Sequence, residues 1–139
     1  MTSLVVDASV AVKWFLPEIH SDAARRLLQG NFELVAPDLI VSEFGNVLWK
    51  KARRGEISVA TGAGILGDFR HFPIRIYAAE SLADFAWDLA TQFDQTFYDS
   101  LYLALAQALD CRLVTADRRF YDPFQQTVLA NNLVWIENV

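Results

Sequence analysis

Five short apolar runs without clean polar alternation punctuate this chain: Leu4–Val6, Leu34–Ala36, Ile74–Tyr77, Arg112–Thr115 and Val134–Ile136. A strand with one wet face alternates apolar and polar residues, whereas a strand covered on both faces does not. Longer helical patterns fill the gaps, over Ser9–Phe15, Ser21–Gln29, Pro37–Arg54, Val59–Phe69, Ala79–Gln92 and Thr96–Leu109. This alternation predicts an α/β layered fold with a mainly parallel five-stranded sheet and right-handed crossovers. The chain contains no internal repeat and no low-complexity linker, and its 139 residues fit a single domain, 1–139, with its own core.

Local chemistry sets the expected boundaries. Pro37 suits a first helical turn, with Asp38 beside it to complement the helix dipole. Gly55 suits the position just past the end of that helix. Pro73 disfavours helix at Phe72 and introduces a strand. Pro123 limits whatever short helix follows Asp117.

Composition excludes several classes. With 53% hydrophobic and 21% charged residues the chain is compact rather than disordered. A lone cysteine, Cys111, rules out an internal disulfide framework and a cysteine-based zinc site, and fits a reducing cytoplasm. The start Met-Thr-Ser-Leu-Val-Val lacks the basic region of a secretory signal. The longest apolar stretch, Leu101–Leu109, is interrupted by Gln107 and is too short to span a bilayer, so no membrane association is expected. The net charge of −5 weighs against a charge-driven grip on nucleic acid. The basic residues are nevertheless clustered, as Lys50, Lys51, Arg53 and Arg54 and again as Arg112, Arg118 and Arg119. The first run serves equally well as cations at a helix C-terminus or as phosphate contacts.

Four acids stand where the pattern is otherwise building core. Asp7 closes Leu4-Val5-Val6, and Asp117 follows Leu113-Val114. Both fall at the carboxyl ends of strands, where open parallel sheets place their ligands. Each also suits a helix N-cap. Glu43 lies on the stripe Leu39, Ile40, Phe44, Val47, so it needs a partner, and a local pair with Lys50 is one candidate. Asp99 ends the capping-box pattern Thr96-Phe97-Tyr98-Asp99 and opens a helix that is apolar on nearly every face.

Taken together the acids imply more than four caps. Unit charges about 4 Å apart interact by roughly 4 kcal/mol at an effective dielectric near 20. Four converging carboxylates therefore require a cation or protons. An oxygen-only set with no His or Cys nearby favours Mg²⁺ or Mn²⁺ over zinc. Such ions polarise a phosphoryl oxygen and activate water, which points to phosphate chemistry without a protein nucleophile. His20 and His71 lie outside all four segments.

The segments Val5-Val6-Asp7-Ala8-Ser9, Ser42-Glu43-Phe44-Gly45-Asn46-Val47-Leu48, Tyr98-Asp99-Ser100-Leu101-Tyr102-Leu103-Ala104-Leu105-Ala106 and Leu113-Val114-Thr115-Ala116-Asp117 resemble, in order and spacing, the PIN-domain ribonucleases. More narrowly they resemble the VapC toxins of bacterial toxin–antitoxin pairs. The resemblance implies a three-layer α/β/α sandwich and Mg²⁺- or Mn²⁺-dependent endonucleolytic cleavage of RNA. It implies that Asp7, Asp99 and Asp117 are metal ligands, and that Glu43 is a ligand directly or through water. By the same resemblance Ser9 and Thr115 orient carboxylates or water, and Asn46 is a supporting polar residue. It further implies a homodimer and a cognate antitoxin that covers the toxin. Trp14, Phe15 and the early helices offer either a groove for that partner or ordinary core. Some members carry a further acid after the last Asp; Asp122 stands nearby but is left outside the metal set.

Two rival readings remain. Gly62-Ala63-Gly64-Ile65-Leu66-Gly67 is a literal G-x-G-x-x-G, the mark of a dinucleotide-binding protein, but it follows no first strand and leaves the acids unexplained. Small helical residues packed close to a neighbour explain it better. The other is a non-catalytic module with an acidic pocket, or a degenerate nuclease kept for partner binding.

Overall fold

Val5 and Val6 have no accessible surface, as expected for a strand with a neighbour on each side and a helical layer above and below. They belong to β1 (Thr2–Val6), the middle of a five-stranded sheet. A computed structural model describes residues 1–139. The other strands are β2 (Phe32–Pro37), β3 (Arg75–Tyr77), β4 (Arg112–Thr115) and β5 (Leu133–Trp135). Their order is β3-β2-β1-β4-β5 and every pairing is parallel. The register sets Leu4 against Leu34 on one side and Val6 against Val114 on the other.

The helices are α1 (Ala8–Ala11), α2 (Ser21–Gln29), α3 (Leu39–Arg53), α4 (Val59–Arg70), α5 (Ala83–Phe93), α6 (Phe97–Ala108) and α7 (Arg118–Tyr121). Helix α6 lies across β1, β2 and β4 with α5 packed on it. Its residues Ser100 to Ala106 are all buried, which explains its apolar composition. Helix α3 packs on α1, α4 and β2. Between them Phe44 stacks on Phe69 with centroids 4.0 Å apart, and Phe15 meets Phe44, Phe69 and Phe72 edge-on. Trp14 is buried too, stacked on Phe72, and its indole N–H donates to the Ala24 carbonyl at 2.9 Å. Trp14 is therefore core packing, and Phe15 is half-buried against the same aromatic cluster.

Several boundaries differ from the sequence expectation for identifiable reasons. Pro37 ends β2 instead of opening α3, opposite Tyr77 of β3. The Asp38 carboxylate accepts from the Ala79 N–H at 3.1 Å, tying the start of α3 to the segment after β3. Val12–Trp14 and Ala79–Leu82 are tight 3₁₀ turns adjoining α1 and α5. The glycine motif lies wholly inside α4, whose cap is Ser58, so it forms no strand-to-helix phosphate loop. Close packing accounts for Gly62 alone, which is buried and where a Cβ would meet Ile57 Cδ1 at 3.5 Å; at Gly64 or Gly67 it would meet nothing within 4 Å. No helix is long and apolar enough to cross a membrane.

Candidate active site

Strand order reverses beside β1. The chain steps outward through β2 and β3, then returns to β1's other side with β4 and β5. Crevices in open parallel sheets form at such a reversal, outside the carboxyl ends of the strands. Asp7 directly follows β1 and Asp117 lies two residues past β4. Glu43 reaches the same place from α3 and Asp99 from the first turn of α6. The four acids line one cavity of about 80 Å³, together with Ala8, Ser9, Tyr102 and Phe120.

Asp7 is the most constrained of them. Its Oδ1 accepts from the Ser9 hydroxyl at 2.5 Å and from the Val10 N–H at 3.2 Å, and its Oδ2 accepts from the Thr115 hydroxyl at 2.5 Å. Those hydroxyls are themselves fixed, since Ser9 accepts from the Ala116 N–H and Thr115 from the Asp117 N–H. The Val10 bond also makes Asp7 the N-cap of α1, so cap and site are one carboxylate. Asp117 likewise caps α7 through the Arg119 N–H at 2.9 Å. Thr96 caps α6 by accepting from the Asp99 N–H at 3.1 Å.

Glu43 finds its partner on another element. The Tyr102 hydroxyl of α6 donates to Glu43 Oε1; Lys50 does not pair with it. The buried row of α3 is Ile40, Phe44, Leu48, while Leu39, Glu43 and Val47 are half-buried beside it. The core stripe is thus rotated from the one the sequence suggests, and Glu43 sits on its edge toward the cavity. Asn46 is exposed and does not line the cavity. Asp122 also stays outside, 3.5 Å from the Arg118 guanidinium. His20 bonds Glu137 and His71 bonds the Gly67 carbonyl, both away from the acids.

Burial and repulsion between neighbouring acids raise the proton affinity of Asp7, Glu43 and Asp99. Burial pushes Asp7 up to about 6, with the Glu43 charge adding to it against the pull of its hydrogen-bond donors. Glu43 is raised by burial and by Asp99, against the Tyr102 bond. Asp99 is raised by burial and by Asp117, against Thr96 and Arg119. Each acid thus feels the next around the cavity. No three His, Cys, Asp or Glu side chains are gathered tightly enough to close around an ion as they stand. The cavity offers carboxylate oxygens and no His or Cys, the donor chemistry of a hard divalent cation.

Tyr102 and Phe120 escaped the sequence reading. Tyr102 did leave a signal: a phenolic hydroxyl in an otherwise apolar buried helix needs an acceptor.

The PIN-domain family model matches residues 4–123. Ribonuclease VapC3 of Pyrobaculum aerophilum is 36% identical over 128 residues, covering 90% of this chain and 97% of that protein. A crystal structure of a Pyrobaculum aerophilum protein superposes with a TM-score of 0.72 at 25% identity, covering 98% and 92% of the two chains. A toxin–antitoxin complex from Klebsiella pneumoniae contains a chain of the same fold, with a TM-score of 0.64 at 14% identity and coverage of 98% and 99%.

Proposed function

This chain belongs to the PIN-domain family, within its VapC ribonucleases, and from that premise we propose that it is a metal-dependent endoribonuclease, the toxin of a toxin–antitoxin pair. One observation carries the site assignment: four acids from separate parts of the chain line one cavity where the strand order reverses. Asp7, Asp99 and Asp117 are the ligands for Mg²⁺ or Mn²⁺, and Glu43 joins them directly or through a water. An ion held there supplies Lewis acidity toward a phosphodiester and lowers the pKa of water.

The protein's own contribution is orientation and proton handling. Ser9, Thr115 and the Val10 N–H hold both oxygens of Asp7, so that carboxylate cannot swing away as substrate arrives. Tyr102 fixes Glu43 through Oε1, leaving Oε2 to take a proton from the attacking water. The raised proton affinity of Glu43, caused mainly by burial, favours that transfer. No Ser, Cys or Lys nucleophile is needed: water forms the new P–O bond as the bond to the departing ribose oxygen breaks, and that oxygen takes up a proton from solvent.

RNA is the substrate and the cytoplasm the place of action, with a cognate antitoxin as partner. Exposed apolar side chains such as Trp49, Trp87 and Tyr98 offer surface for that partner or for a homodimer. The reading is tested by sequencing RNA ends after brief expression of wild type and Asp99→Asn. New ends at defined positions, produced by wild type alone, are expected. The same ends from both proteins would remove the site assignment, and no new ends from either would remove the activity.

A further inference from the structure

A second cavity, of about 210 Å³, opens beside the acidic one and shares Ser9 with it. Its sign is opposite. Lys13, Lys50, Lys51 and Arg54 line it, with Glu18 as the single acid in its wall. Lys13 is buried, and its ammonium bonds Glu18 at 3.1 Å. Glu18 also takes Lys51 at 2.8 Å, and Lys51 reaches Glu56 at 3.7 Å. Burial would raise the Glu18 carboxyl, but its bonds to Lys51 and Lys13 hold it below its ordinary value. Two carboxylates thus answer four cations, and Lys50 and Arg54 have none.

An ion-pair network tying the Pro17–Glu18 loop to α3 accounts for Lys13, Glu18 and Lys51. It leaves Lys50 and Arg54 without a purpose in a chain whose net charge is −5. Helix-dipole compensation explains cations in the last turn of α3 but not the face they occupy. Glu43, Val47, Lys50 and Arg54 recur at spacings of four, three and four, so they share one face. Arg53, from the same basic run, turns away and lies over Trp49, 5.3 Å from its ring centroid. Lys50 stands about 10 Å along the helix axis from Glu43, at 1.5 Å per residue. With the reach of the lysine and arginine side chains, that separation puts both cations within range of a backbone that runs out from the acids.

We propose that this basic cavity is a phosphate subsite, holding an RNA backbone phosphate next to the one being cleaved, with Lys50 and Arg54 as its grip and Lys13 and Lys51 as its floor. The inference rests on the ribonuclease reading above. Arg supplies a forked donor pair and Lys a point charge, the two usual ways of binding phosphate. Continuity through Ser9 favours one polyanion spanning both cavities over a protein carboxylate at the basic end.

The test is binding of a labelled single-stranded RNA of mixed sequence across a range of salt, in EDTA so that nothing is cleaved. Wild type is compared with Lys50→Ala/Arg54→Ala, and with Arg25→Ala/Arg53→Ala, which removes equal charge elsewhere. All four side chains are exposed or at a helix surface, and melting curves verify folding. The first double variant is expected to bind about tenfold more weakly, its log Kd–log salt slope falling by about 0.7 per lost contact, while the control keeps the wild-type slope. An unchanged slope in Lys50→Ala/Arg54→Ala, or an equal fall in both variants, overturns the subsite while leaving the ribonuclease reading intact. An unchanged RNA slope with weakened binding of a polyglutamate peptide assigns the cavity to a protein partner and likewise overturns it. Failure of wild type to bind RNA overturns the subsite alone, because the metal-free acids repel phosphate; the ribonuclease reading is decided separately by the RNA-end sequencing.

Discussion

At the scale of the residue, Glu43 and Tyr102 show how an apolar packing position becomes a functional one. Glu43 is a half-buried carboxylate with no cation, held by a single phenol from another helix. Tyr102→Phe keeps the ring and its packing but leaves that carboxylate one donor short. Cleavage is expected to fall at least tenfold, since a hydrogen bond to a charged group contributes about 1.5–3 kcal/mol. Because the Tyr102 bond lowers the proton affinity of Glu43, its loss moves the acid limb of the pH–rate profile to higher pH. A rate–pH series on purified Tyr102→Phe checks both effects; an unshifted limb would separate Tyr102 from Glu43's proton. Glu43 itself was legible in the sequence, as an acid in an apolar row. Its partner was not, because the two lie 59 residues apart and only the tertiary fold joins them. Asp7 misled differently. Its features as a cap and as a site residue looked like alternatives, yet Oδ1 serves α1 and the cavity at once.

At the scale of the element, α3 carries the most information. One face packs Ile40, Phe44 and Leu48 into the core, and the next carries Glu43 and then the cations. Its end is fixed by Gly55 at φ +74°, with the Gly55 N–H bonded to the Ala52 carbonyl and the Glu56 N–H to the Lys51 carbonyl. That pair of bonds is the Schellman arrangement, in which glycine is preferred because it lacks a Cβ. Gly55→Ala meets no neighbouring atom but must adopt the left-handed backbone. A loss of about 1 kcal/mol is expected in urea unfolding, with an unchanged m-value. The elements themselves were readable because covered strands are short apolar runs without alternation, whereas helices repeat their apolar residues every three to four positions. Their ends were less so. Pro37 is chemically suited to a first helical turn, and only its place opposite Tyr77 assigns it to β2. Likewise Ala79–Leu82 reads as the start of α5, but its backbone bonds to Asp38 and tightens into a 3₁₀ turn.

At the scale of the whole molecule, the fold concentrates negative charge at one point and must tolerate it. Asp7 has an ordinary value of 3.8 and is raised to about 6. Between those values the folded chain binds more protons than the unfolded one, so lowering the pH stabilises it. The contribution is fully present below 3.8 and is lost as pH rises through 6, with a span of about 3 kcal/mol. In EDTA the melting temperature is therefore expected to rise as pH falls from 7 toward 5. Asp7→Asn should flatten that rise and melt no lower than wild type at pH 7.5. A melting temperature that instead falls steadily over this window would mean that the cap outweighs the burial of charge.

A cation relieves the same repulsion at neutral pH, which ties stability to function. The most direct measurement is a calorimetric titration of Mn²⁺ into metal-free wild type and Asp99→Asn at pH 7.5. Wild type is expected to bind Mn²⁺ with release of protons, and Asp99→Asn at least tenfold more weakly. Equal affinity in the two proteins would contradict the account, because the four acids would then not act as one centre.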